Sequence, residues 1–444
     1  MIIMKVAVIG LGYAGLPFAV VTASKGIKVV GVEIDSERLN QLKNGKSPFF
    51  EPKMDDFLNK SLGKNLELTS DLNHAMKNAN FIFLCVNTPE NSDGSVNFNF
   101  LKDASKQIGA VLKNSSESFP VIVVKSTVPP QTIEKLVIKE IEDSSGKKVG
   151  VDFGIAMNPE FMKEGSSIDD MLYPHIVVIG TNDEKSKSLV NELFSKIYSD
   201  STPPLFNTSL VNSELIKYVN NSFLATKISF INTIANICSK IPGADVQVIA
   251  KAIGKDPRIG ELFLRAGPGY GGHCFPKDLA GFLDFSRKLG YNPELLESTE
   301  KTNLKQPSKI IDRLEKSITN LDGKKISILG AAFKKDTDDI RESPSIKVIK
   351  ILLEKGSKVQ VHDPQALNNV KKIFGDKIEY CDNIPNCLAN TEYCIILTDW
   401  DDYSKLKVED FKDNMKNVRI YDSRRILDPK KMESLDYSAV GYGL

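Results

Sequence analysis

The sequence predicts an α/β protein in which two domains with doubly wound parallel sheets are joined by a central helical domain. Three observations lead to this fold class. A short apolar strand runs directly into a glycine-rich turn and a helix near the start, the same strand, helix, strand order returns in residues 318–365, and residues 209–240 carry apolar side chains at helical spacing without glycine or proline. We expect domains at residues 1–205, 206–305 and 306–444.

Composition limits the classes of function. The chain has 444 residues, enough for two to three domains at ~150 residues each. Lysine and arginine number 58 against 57 acidic residues, so no overall field favours nucleic acid or an anionic membrane. No apolar run approaches the ~18 residues of a membrane span, and the start reads as a strand, so we expect a cytoplasmic protein. The six cysteines form no CxxC pair, so no metal site is expected.

The first strand, MKVAVI at residues 4–9, is followed by GLGYAG at residues 10–15. Gly10, Gly12 and Gly15 have the G-x-G-x-x-G spacing between a strand and a helix, which is typical of a Rossmann-like dinucleotide-binding turn. The helix amino terminus then faces the pyrophosphate, with Tyr13 and Ala14 in the same turn. This pattern predicts that the cofactor is a nicotinamide dinucleotide.

The second strand ends at Glu33, with Asp35 two residues on. An acid at this tip accepts hydrogen bonds from the adenosine ribose, which favours NAD, and Glu33 directly follows the apolar run. Arg38 lies close by and could instead accommodate a 2′-phosphate, so NADP is the alternative.

Two further strands, in residues 80–89 and 119–130, end in small polar residues and proline. The carboxyl ends of parallel strands deliver loops to a ligand, so these ends are candidates for cofactor contacts. Ordinary turns at strand ends are the alternative. The candidates are Asn87, Thr88, Ser126 and Thr127.

The middle of the chain offers charged residues at helical spacing. Glu160 and Glu164 follow a short strand and, in a helix, would project from one face, where they could act as a general base or form a solvated surface. Lys217 and Asn221 lie one turn apart on the long helix, which would be about 45 Å long. A lysine there is often solvated, but the flanking SFLATKISFIN is too apolar for a wholly exposed helix.

The third domain has a single glycine, Gly330, where the first has three, so it lacks the pyrophosphate turn. Lys334, Lys335 and Arg341 stand in its place and form a cationic group suited to another phosphate-bearing ligand. Arg424 lies just past a later strand. We therefore expect this domain to bind a different phosphate compound.

The segment GPGYGGHCFPKD, residues 267–278, reads as a loop shaped around a ligand, since its glycines allow close backbone approach and positive φ. Cys274 is the cysteine with polar neighbours on both sides. A surface loop with an incidental thiol is the alternative.

Seven motifs in order resemble those of the UDP-glucose/GDP-mannose dehydrogenase family, the nucleotide-sugar dehydrogenases that oxidise a sugar C6 alcohol to the acid. They are GLGYAGLP from residue 10, CVNTP at 85–89, KSTVP at 125–129, NPEFMKEG at 158–165, KYVNNSFLATKISFIN from residue 217, GPGYGGHCFPKD at 267–278 and FKKDTDDIRESP at 333–344.

The resemblance implies an NAD-dependent four-electron oxidation through a covalent intermediate. Cys274 would attack the C6 aldehyde, and the resulting thiohemiacetal would be oxidised to a thioester that water cleaves. Lys277 would favour the thiolate. Glu160 resembles the base that activates this water, Glu164 would lie beside the sugar and nicotinamide, and Thr127 would position the water or the nicotinamide.

Lys217 and Asn221 resemble the pair that stabilises oxyanions or binds substrate, and Asp278 would join a water or lysine in deprotonating the alcohol. Lys277 and Arg341 resemble further NAD contacts. Arg258 resembles a residue that reaches the neighbouring subunit's site, which implies at least a homodimer. The implied substrate contacts are Glu160, Phe161, Met162, Lys163, Lys217, Asn221, Arg258, Arg265, Gly269, Tyr270, Gly271, Phe333, Lys334 and Arg424.

The motifs differ in the sugar that they favour. DPRIG, FLATKIS and FPKD are typical of family members that oxidise UDP-glucose, whereas GPG and GHC also occur in those that act on UDP-N-acetylhexosamines such as UDP-N-acetylmannosamine and UDP-N-acetylglucosamine. Tyr270 matches the UDP-glucose pattern, whereas His273 is compatible with a UDP-N-acetylhexosamine as substrate. We favour UDP-glucose, with GDP-mannose as a weaker third candidate.

Two other classes of protein share parts of the pattern. A two-electron hydroxyacid or imine reductase could have the same first domain and long helix but has no use for a nucleophilic thiol. A cofactor-binding regulatory protein would not need Cys274, Lys217, Glu160 and Asp278 together.

Overall fold

The computed structural model describes residues 4–91, 93–115, 119–318 and 320–443. The chain divides into two compact units, one that extends to Asn220 and one that begins at Asn221. Within the described part of the chain, no helix combines the length and the apolar character needed to cross a membrane.

The first unit is built on an eight-stranded sheet with the order β3-β2-β1-β4-β5-β6-β7-β8. Neighbouring strands are parallel except β6 and β7, which are antiparallel. The reversal of strand order between β1 and β4 is the switch point at which doubly wound sheets bind ligands. The strands are β1 Lys5–Ile9, β2 Lys28–Val32, β3 Leu66–Thr69, β4 Phe81–Leu84, β5 Val121–Val124, β6 Gly154–Met157, β7 Val177–Gly180 and β8 Leu205–Thr208.

Apolar cores cover both faces of this sheet, which explains why strands such as FIFL and VIVV are continuous apolar runs. A π-helical segment, Ile133–Ile138, precedes α6. The helices are α1 Gly15–Ser24, α2 Ser36–Lys43, α3 Met54–Ser61, α4 Leu72–Met76, α5 Asn99–Lys113, α6 Lys139–Ser145, α7 Ser167–Leu172 and α8 Glu184–Ile197.

The long helix predicted over residues 209–240 is α9, Leu210–Cys238, which has 29 residues and contains the boundary between the two units. Three helices of the second unit follow it and form the central helical region, with a small core around Ile231, Ala235 and Leu264. They are α10 Val246–Gly254, α11 Cys274–Lys288 and α12 Glu294–Ser317.

The remainder of the second unit surrounds a six-stranded parallel sheet with the order β11-β10-β9-β12-β13-β14. Its strands are β9 Lys325–Leu329, β10 Lys358–His362, β11 Glu379–Tyr380, β12 Tyr393–Ile396, β13 Arg419–Asp422 and β14 Asp436–Ala439. Its helices are α13 Pro344–Glu354, α14 Leu367–Phe374, α15 Ile384–Leu388, α16 Asp401–Ser404 and α17 Val408–Lys412, with a 3₁₀ turn at Gly375–Lys377. These two sheets with the helical region confirm the predicted fold class.

The turn after β9 differs from the turn after β1 in what it binds. Gly330 adopts φ +99°, and the Asp363 carboxylate accepts the N–H groups of Ala331 and Ala332 at 2.8 and 3.0 Å. The Trp400 indole N–H also donates to this oxygen, at 3.2 Å. A side-chain carboxylate thus takes the donors that a dinucleotide would need, in agreement with the predicted loss of the pyrophosphate turn.

Candidate active site

The glycine-rich turn of the first unit lies between β1 and α1. Gly10 adopts φ +89°, and a Cβ there would lie 2.8 Å from the Cys85 carbonyl oxygen. A Cβ on Gly15 would lie 1.9 Å from the Gly10 carbonyl oxygen, so neither position admits a side chain without movement. A Cβ on Gly12 would meet only the Asn87 Oδ1, at 3.9 Å. The turn therefore leaves room at Gly12 and none at Gly10 or Gly15, which fits a pyrophosphate at the start of α1.

The neighbouring residues complete this turn. Ala14 is the amino-terminal cap of α1, and the Tyr13 ring stacks on Phe49 at 4.1 Å between centroids. Glu33 is buried just after β2, and its carboxylate accepts the Asp35 N–H at 3.1 Å. Asp35 caps α2 by accepting the Arg38 N–H, so Asp35 already has a structural role. This arrangement favours Glu33 as the ribose ligand.

The strand ends after β4 and β5 come together as the sequence suggests. The Thr88 hydroxyl donates to the Thr127 carbonyl oxygen at 2.8 Å, and the Ser126 hydroxyl donates to the Val86 carbonyl oxygen at 2.6 Å. Asn87 is exposed beside Gly12. The two loops therefore form one surface at the carboxyl edge of the sheet.

Paired substitutions test the two roles of the glycines. We expect Gly12→Ala to leave the free energy of unfolding unchanged but to weaken NAD binding at least about tenfold, because its methyl group enters the proposed pyrophosphate space. Gly15→Ala should also lower the free energy of unfolding, by about 1–3 kcal/mol, since the methyl group overlaps the Gly10 carbonyl. Calorimetric titration with NAD and thermal unfolding measure both effects. Unimpaired binding by Gly12→Ala would contradict this placement of the cofactor.

The helical geometry expected for Glu160 and Glu164 is wrong. Residues 158–163 form no regular structure, and α7 begins only at Ser167. Carboxylates take the N–H groups that a helix would need: Glu160 accepts from Met162, Asp170 from Lys163, and Glu51 from Gly165, each at 2.8 Å. Pro159 has no N–H to donate.

Other side chains of this segment are placed by the same contacts. The Lys163 ammonium lies 3.2 Å from Asp170, so its charge is directed at the segment itself. Phe161 makes an edge contact with His175 at 5.8 Å between centroids. Glu164 is half-buried.

Lys217 and Glu160 form a buried ion pair within the first unit. The Lys217 ammonium donates to a Glu160 carboxylate oxygen at 2.9 Å and to the Glu160 carbonyl oxygen at 2.6 Å. The two side chains are 3% and 11% exposed. The ammonium also lies 5.6 Å from the centroid of the Phe161 ring. The alternative of a solvated lysine is therefore wrong, and α9 presents a fixed cation to the segment after β6.

Glu214, one turn before Lys217, was not found by sequence reasoning. Its carboxylate accepts the N–H groups of Gln131 and Ile133 at 2.6 and 2.9 Å. Burial raises the pKa of Glu214 to about 7, although the two hydrogen bonds favour the charged form. These bonds tie the loop that carries Thr127 to α9, and the only sequence signal was an acid within an apolar helix.

In the second unit, Asn221, Asp278 and Lys277 form a buried network. The Asn221 amide and the Lys277 ammonium each donate to a different Asp278 carboxylate oxygen, both at 2.6 Å. Asp278 is 1% exposed, and the adjacent Lys277 ammonium balances its charge. The Lys277 charge is thus directed at Asp278.

Cys274 is the first residue of α11, whereas the sequence placed it within a loop. Its thiol is partly exposed, while the other five cysteines are buried. A helix amino terminus stabilises negative charge, which suits a thiolate. The position of Cys274 at the start of a helix therefore explains how its thiolate could be stabilised, which a position within a loop would not.

Two asparagines hold the glycine-rich segment before Cys274. The Asn232 side chain on α9 accepts the Gly267 N–H at 2.8 Å. The Asn303 amide on α12 accepts the Tyr270 N–H at 2.8 Å and donates to the Tyr270 carbonyl oxygen at 3.0 Å. Neither asparagine was a sequence candidate. The segment is thus clamped from two helices and is not a free surface loop.

The same segment packs closely against residues 333–342. A Cβ on Gly271 would lie 2.6 Å from the Glu342 carbonyl oxygen, and one on Gly272 would lie 2.7 Å from the Phe333 ring. The Gly272 N–H donates to the Arg341 carbonyl oxygen at 2.9 Å. Gly269 adopts φ +114°. The glycines are therefore needed for backbone contact with this segment.

Of the two residues on which the choice of sugar depends, Tyr270 is buried and His273 is half-buried. Tyr270 is buried and makes an edge contact with Phe275 at 6.0 Å. Burial, together with the charges of Arg341 and Lys277, lowers the pKa of His273 to about 4. His273 is therefore neutral at pH 7 and adds no positive charge here.

Most predicted cations of the second unit have a partner. Arg258 pairs with Asp256, Arg265 with Asp399, Lys335 with Asp401 and Arg341 with Asp339, at 2.6–2.8 Å. The cationic group expected from Lys334, Lys335 and Arg341 is thus largely neutralised, which the sequence did not predict. Arg424 donates to the Leu397 and Phe333 carbonyl oxygens, both at 2.7 Å, which places it beside Gly267 and Phe333.

No group of three or more His, Cys, Asp and Glu side chains among the described residues is arranged to hold a metal ion.

Comparison with known proteins covers nearly the whole chain. Residues 4–198 match the NAD binding domain of the UDP-glucose/GDP-mannose dehydrogenase family, residues 211–305 its central domain and residues 327–429 its UDP binding domain. The UDP-glucose 6-dehydrogenase AglM of Haloferax volcanii is 38% identical over 98% of this chain and 100% of its own. TuaD of Bacillus subtilis, named as the same enzyme, is 38% identical over 98% and 92%.

Solved structures give the same result. A UDP-glucose dehydrogenase from Pyrobaculum islandicum superposes with a TM-score of 0.91 at 33% identity and covers 99% of this chain and 98% of its own. A UDP-D-ManNAc dehydrogenase from Pyrococcus horikoshii has a TM-score of 0.86 at 26% identity, with 99% and 100% covered. The resemblance drawn from the seven motifs is confirmed, and this chain belongs to the UDP-glucose/GDP-mannose dehydrogenase family.

Proposed function

We propose that this chain oxidises the C6 hydroxymethyl group of UDP-glucose to a carboxylate, with NAD as the hydride acceptor. The observation that carries the proposal is Cys274, a partly exposed thiol at the start of α11, preceded by a glycine-rich segment that Asn232 and Asn303 hold in place. Relatives named UDP-glucose 6-dehydrogenases, 38% identical over the chain, support the substrate.

Asp278 and Cys274 take part in the two oxidation steps. Asp278, hydrogen-bonded to Asn221 and Lys277, assists removal of the alcohol proton through a water or lysine. The Cys274 sulfur then bonds to the aldehyde carbon, which traps the aldehyde and, after the second oxidation, leaves a thioester. A thiol suits both tasks because sulfur attacks readily and later departs as thiolate.

The Glu160–Lys217 ion pair promotes hydrolysis of the thioester. Glu160 takes a proton from water, while the Lys217 ammonium stabilises the negative charge that develops on oxygen. Thr127 positions the water or the nicotinamide, and Glu164 lies beside the sugar. Substitution of Cys274 should therefore prevent thioester formation, whereas substitution of Glu160 or Lys217 should slow thioester hydrolysis.

On the basis of the family resemblance, we also propose binding roles, some of them for residues that already have a proposed part in the reaction. Those for NAD are Gly10, Gly12, Tyr13, Ala14, Gly15, Glu33, Arg38, Asn87, Thr88, Ser126, Thr127, Glu164, Lys277 and Arg341. Those for the sugar nucleotide are Glu160, Phe161, Met162, Lys163, Lys217, Asn221, Arg258, Arg265, Gly269, Tyr270, Gly271, Phe333, Lys334 and Arg424. We also propose domain limits at 1–205, 206–305 and 306–444. The cytoplasmic location expected from the sequence is likewise a proposal, which cell fractionation tests.

A substrate panel tests the choice of sugar and cofactor. The purified chain is assayed with UDP-glucose, UDP-N-acetylmannosamine, UDP-N-acetylglucosamine and GDP-mannose, each with NAD and with NADP. We expect kcat/KM to be at least about 100-fold higher for UDP-glucose with NAD, because a pocket built for one sugar hydroxyl rejects a bulkier group. A preference for either N-acetylhexosamine would overturn the choice of sugar and retain the reaction.

We also propose that the chain forms a homodimer through α9. Phe223, Phe230 and Ile237 lie seven residues apart on one face and are 50–63% exposed, and Val248 of α10 is 65% exposed. A stripe of large apolar side chains is costly in water and typical of a helix that packs on a partner. We expect light scattering to give the dimer mass, and Phe230→Asp to shift the mass toward the monomer. A monomeric wild-type protein at micromolar concentration would contradict the proposal.

A further inference from the structure

Lys125 is a buried ammonium at the carboxyl end of β5 to which the proposed reaction assigns no role. Lys125 as a whole is 4% exposed to solvent. The ammonium donates to the Asn158 carbonyl Oδ1 at 2.8 Å and lies 5.1 Å from the centroid of the Phe18 ring on α1. Among the described residues, no carboxylate pairs with it directly. A buried charge without an ion-pair partner is costly to keep, so its presence needs an explanation.

Asn158 links Lys125 to the segment that carries Glu160. The Asn158 amide donates to the Val178 carbonyl oxygen on β7 at 2.8 Å, and its N–H donates to the Val124 carbonyl oxygen on β5 at 2.9 Å. Both ends of this side chain are therefore satisfied, and the backbone two residues before Glu160 is held between two strands.

Of the three titratable groups that act on Lys125, two are charged and one is neutral. Cys85, which follows β4, remains a neutral thiol because burial raises its pKa to about 12. Glu160 and Lys217 also act on Lys125 electrostatically, from the segment after β6 and from α9. The cluster thus contains two ammonium groups and one carboxylate, and its net charge is positive when Lys125 is protonated.

We propose that Lys125 is a positioning residue for Glu160: through Asn158 it holds the backbone before Glu160, and its charge adds to that of Lys217 during thioester hydrolysis. The inference rests on the proposed role of Glu160. In that step the water oxygen bonds to the thioester carbon, the water proton passes to Glu160, and the carbon–sulfur bond breaks to release the Cys274 thiolate. The oxyanion that forms before this bond breaks is stabilised by a second nearby positive charge.

The protonation of Lys125 makes this contribution depend on pH. Burial lowers the pKa of Lys125 to about 8, with the Glu160 carboxylate opposing the shift and the Lys217 ammonium adding to it. The charge is present below that value and is lost as pH rises through it. We therefore expect the rate of thioester breakdown in the wild-type protein to decline with a midpoint near pH 8.

The test is a single-turnover reaction with UDP-glucose and NAD, quenched in acid, in which intact mass spectrometry follows the acyl adduct on Cys274. Lys125→Met should slow breakdown of the adduct about tenfold at pH 7, because one positive charge that opposes the developing oxyanion is lost. The adduct then accumulates, kcat falls, NAD affinity is unchanged, and the decline near pH 8 disappears. Lys125→Arg should keep the charge and recover most of the rate.

Lys185→Met is the matched control, because Lys185 also lies over a phenylalanine ring, that of Phe119 at 3.3 Å, but is exposed. It should behave as wild type. Adduct breakdown in Lys125→Met at the wild-type rate, or a wild-type profile without a decline between pH 7 and 9, would overturn the inference. The wild-type profile decides the question even if Lys125→Met does not fold. A wild-type protein that forms neither adduct nor acid contradicts the proposed function instead.

Discussion

Cys274→Ala is expected to abolish acid formation from UDP-glucose, with a loss of at least about 10⁴-fold, while NAD binds with nearly unchanged affinity. Removal of a nucleophile that acts within a coupled set of groups typically costs this much or more. The methyl group of alanine cannot trap the aldehyde, so no thioester forms. Acid production followed by chromatography and NAD binding followed by calorimetry measure the two quantities.

The control is Cys238→Ala, which removes a buried thiol at the end of α9 that has no proposed role. It should retain wild-type activity. Acid formation by Cys274→Ala within tenfold of wild type would contradict covalent catalysis. Loss of NAD binding in the same variant would count against a purely chemical role for the thiol.

Lys217→Met is expected to lower kcat about 10³-fold, the effect typical of removing one donor that stabilises an oxyanion. The same change removes the ammonium that binds the Glu160 carboxylate inside the first unit. Breaking a buried pair on one side costs about 3–5 kcal/mol, so thermal stability should fall as well. Steady-state kinetics and thermal unfolding record the two losses.

A double substitution separates catalysis from stability. In Lys217→Met with Glu160→Gln, no buried carboxylate is left without its ammonium, so we expect the melting temperature to recover substantially. Activity should not recover, because both the cation and the base are missing. If activity returned together with stability, Lys217 would be a structural residue and the proposed oxyanion role would be wrong.

The parts of the fold set by local chain properties could be predicted from the sequence. Gly10, Gly12 and Gly15 follow a strand at a spacing that has few structural uses, and the apolar period of α9 extends far enough to define the helix within two residues at each end. The polar strand ends at Thr88 and Ser126 follow from parallel-sheet geometry in the same way.

The contacts that hold the site connect residues far apart in the chain, and local pattern does not encode them. Asn232 and Asn303 reach Gly267 and Tyr270 from helices 35 and 33 residues away. The helix expected over Glu160 and Glu164 does not form, in part for the same reason, because the Gly165 N–H donates to Glu51, which lies 114 residues away in the chain. Tertiary hydrogen bonds outweighed a local helical preference in this segment.

The number of NADH molecules formed per sugar nucleotide distinguishes a four-electron oxidation from a two-electron one. With limiting UDP-glucose and excess NAD, we expect two NADH and one UDP-glucuronate for each UDP-glucose consumed, because the thiol holds the aldehyde for a second oxidation. One NADH per sugar with a released aldehyde would indicate a simple alcohol dehydrogenase, and no NADH a binding protein. Either result would contradict the four-electron oxidation proposed here.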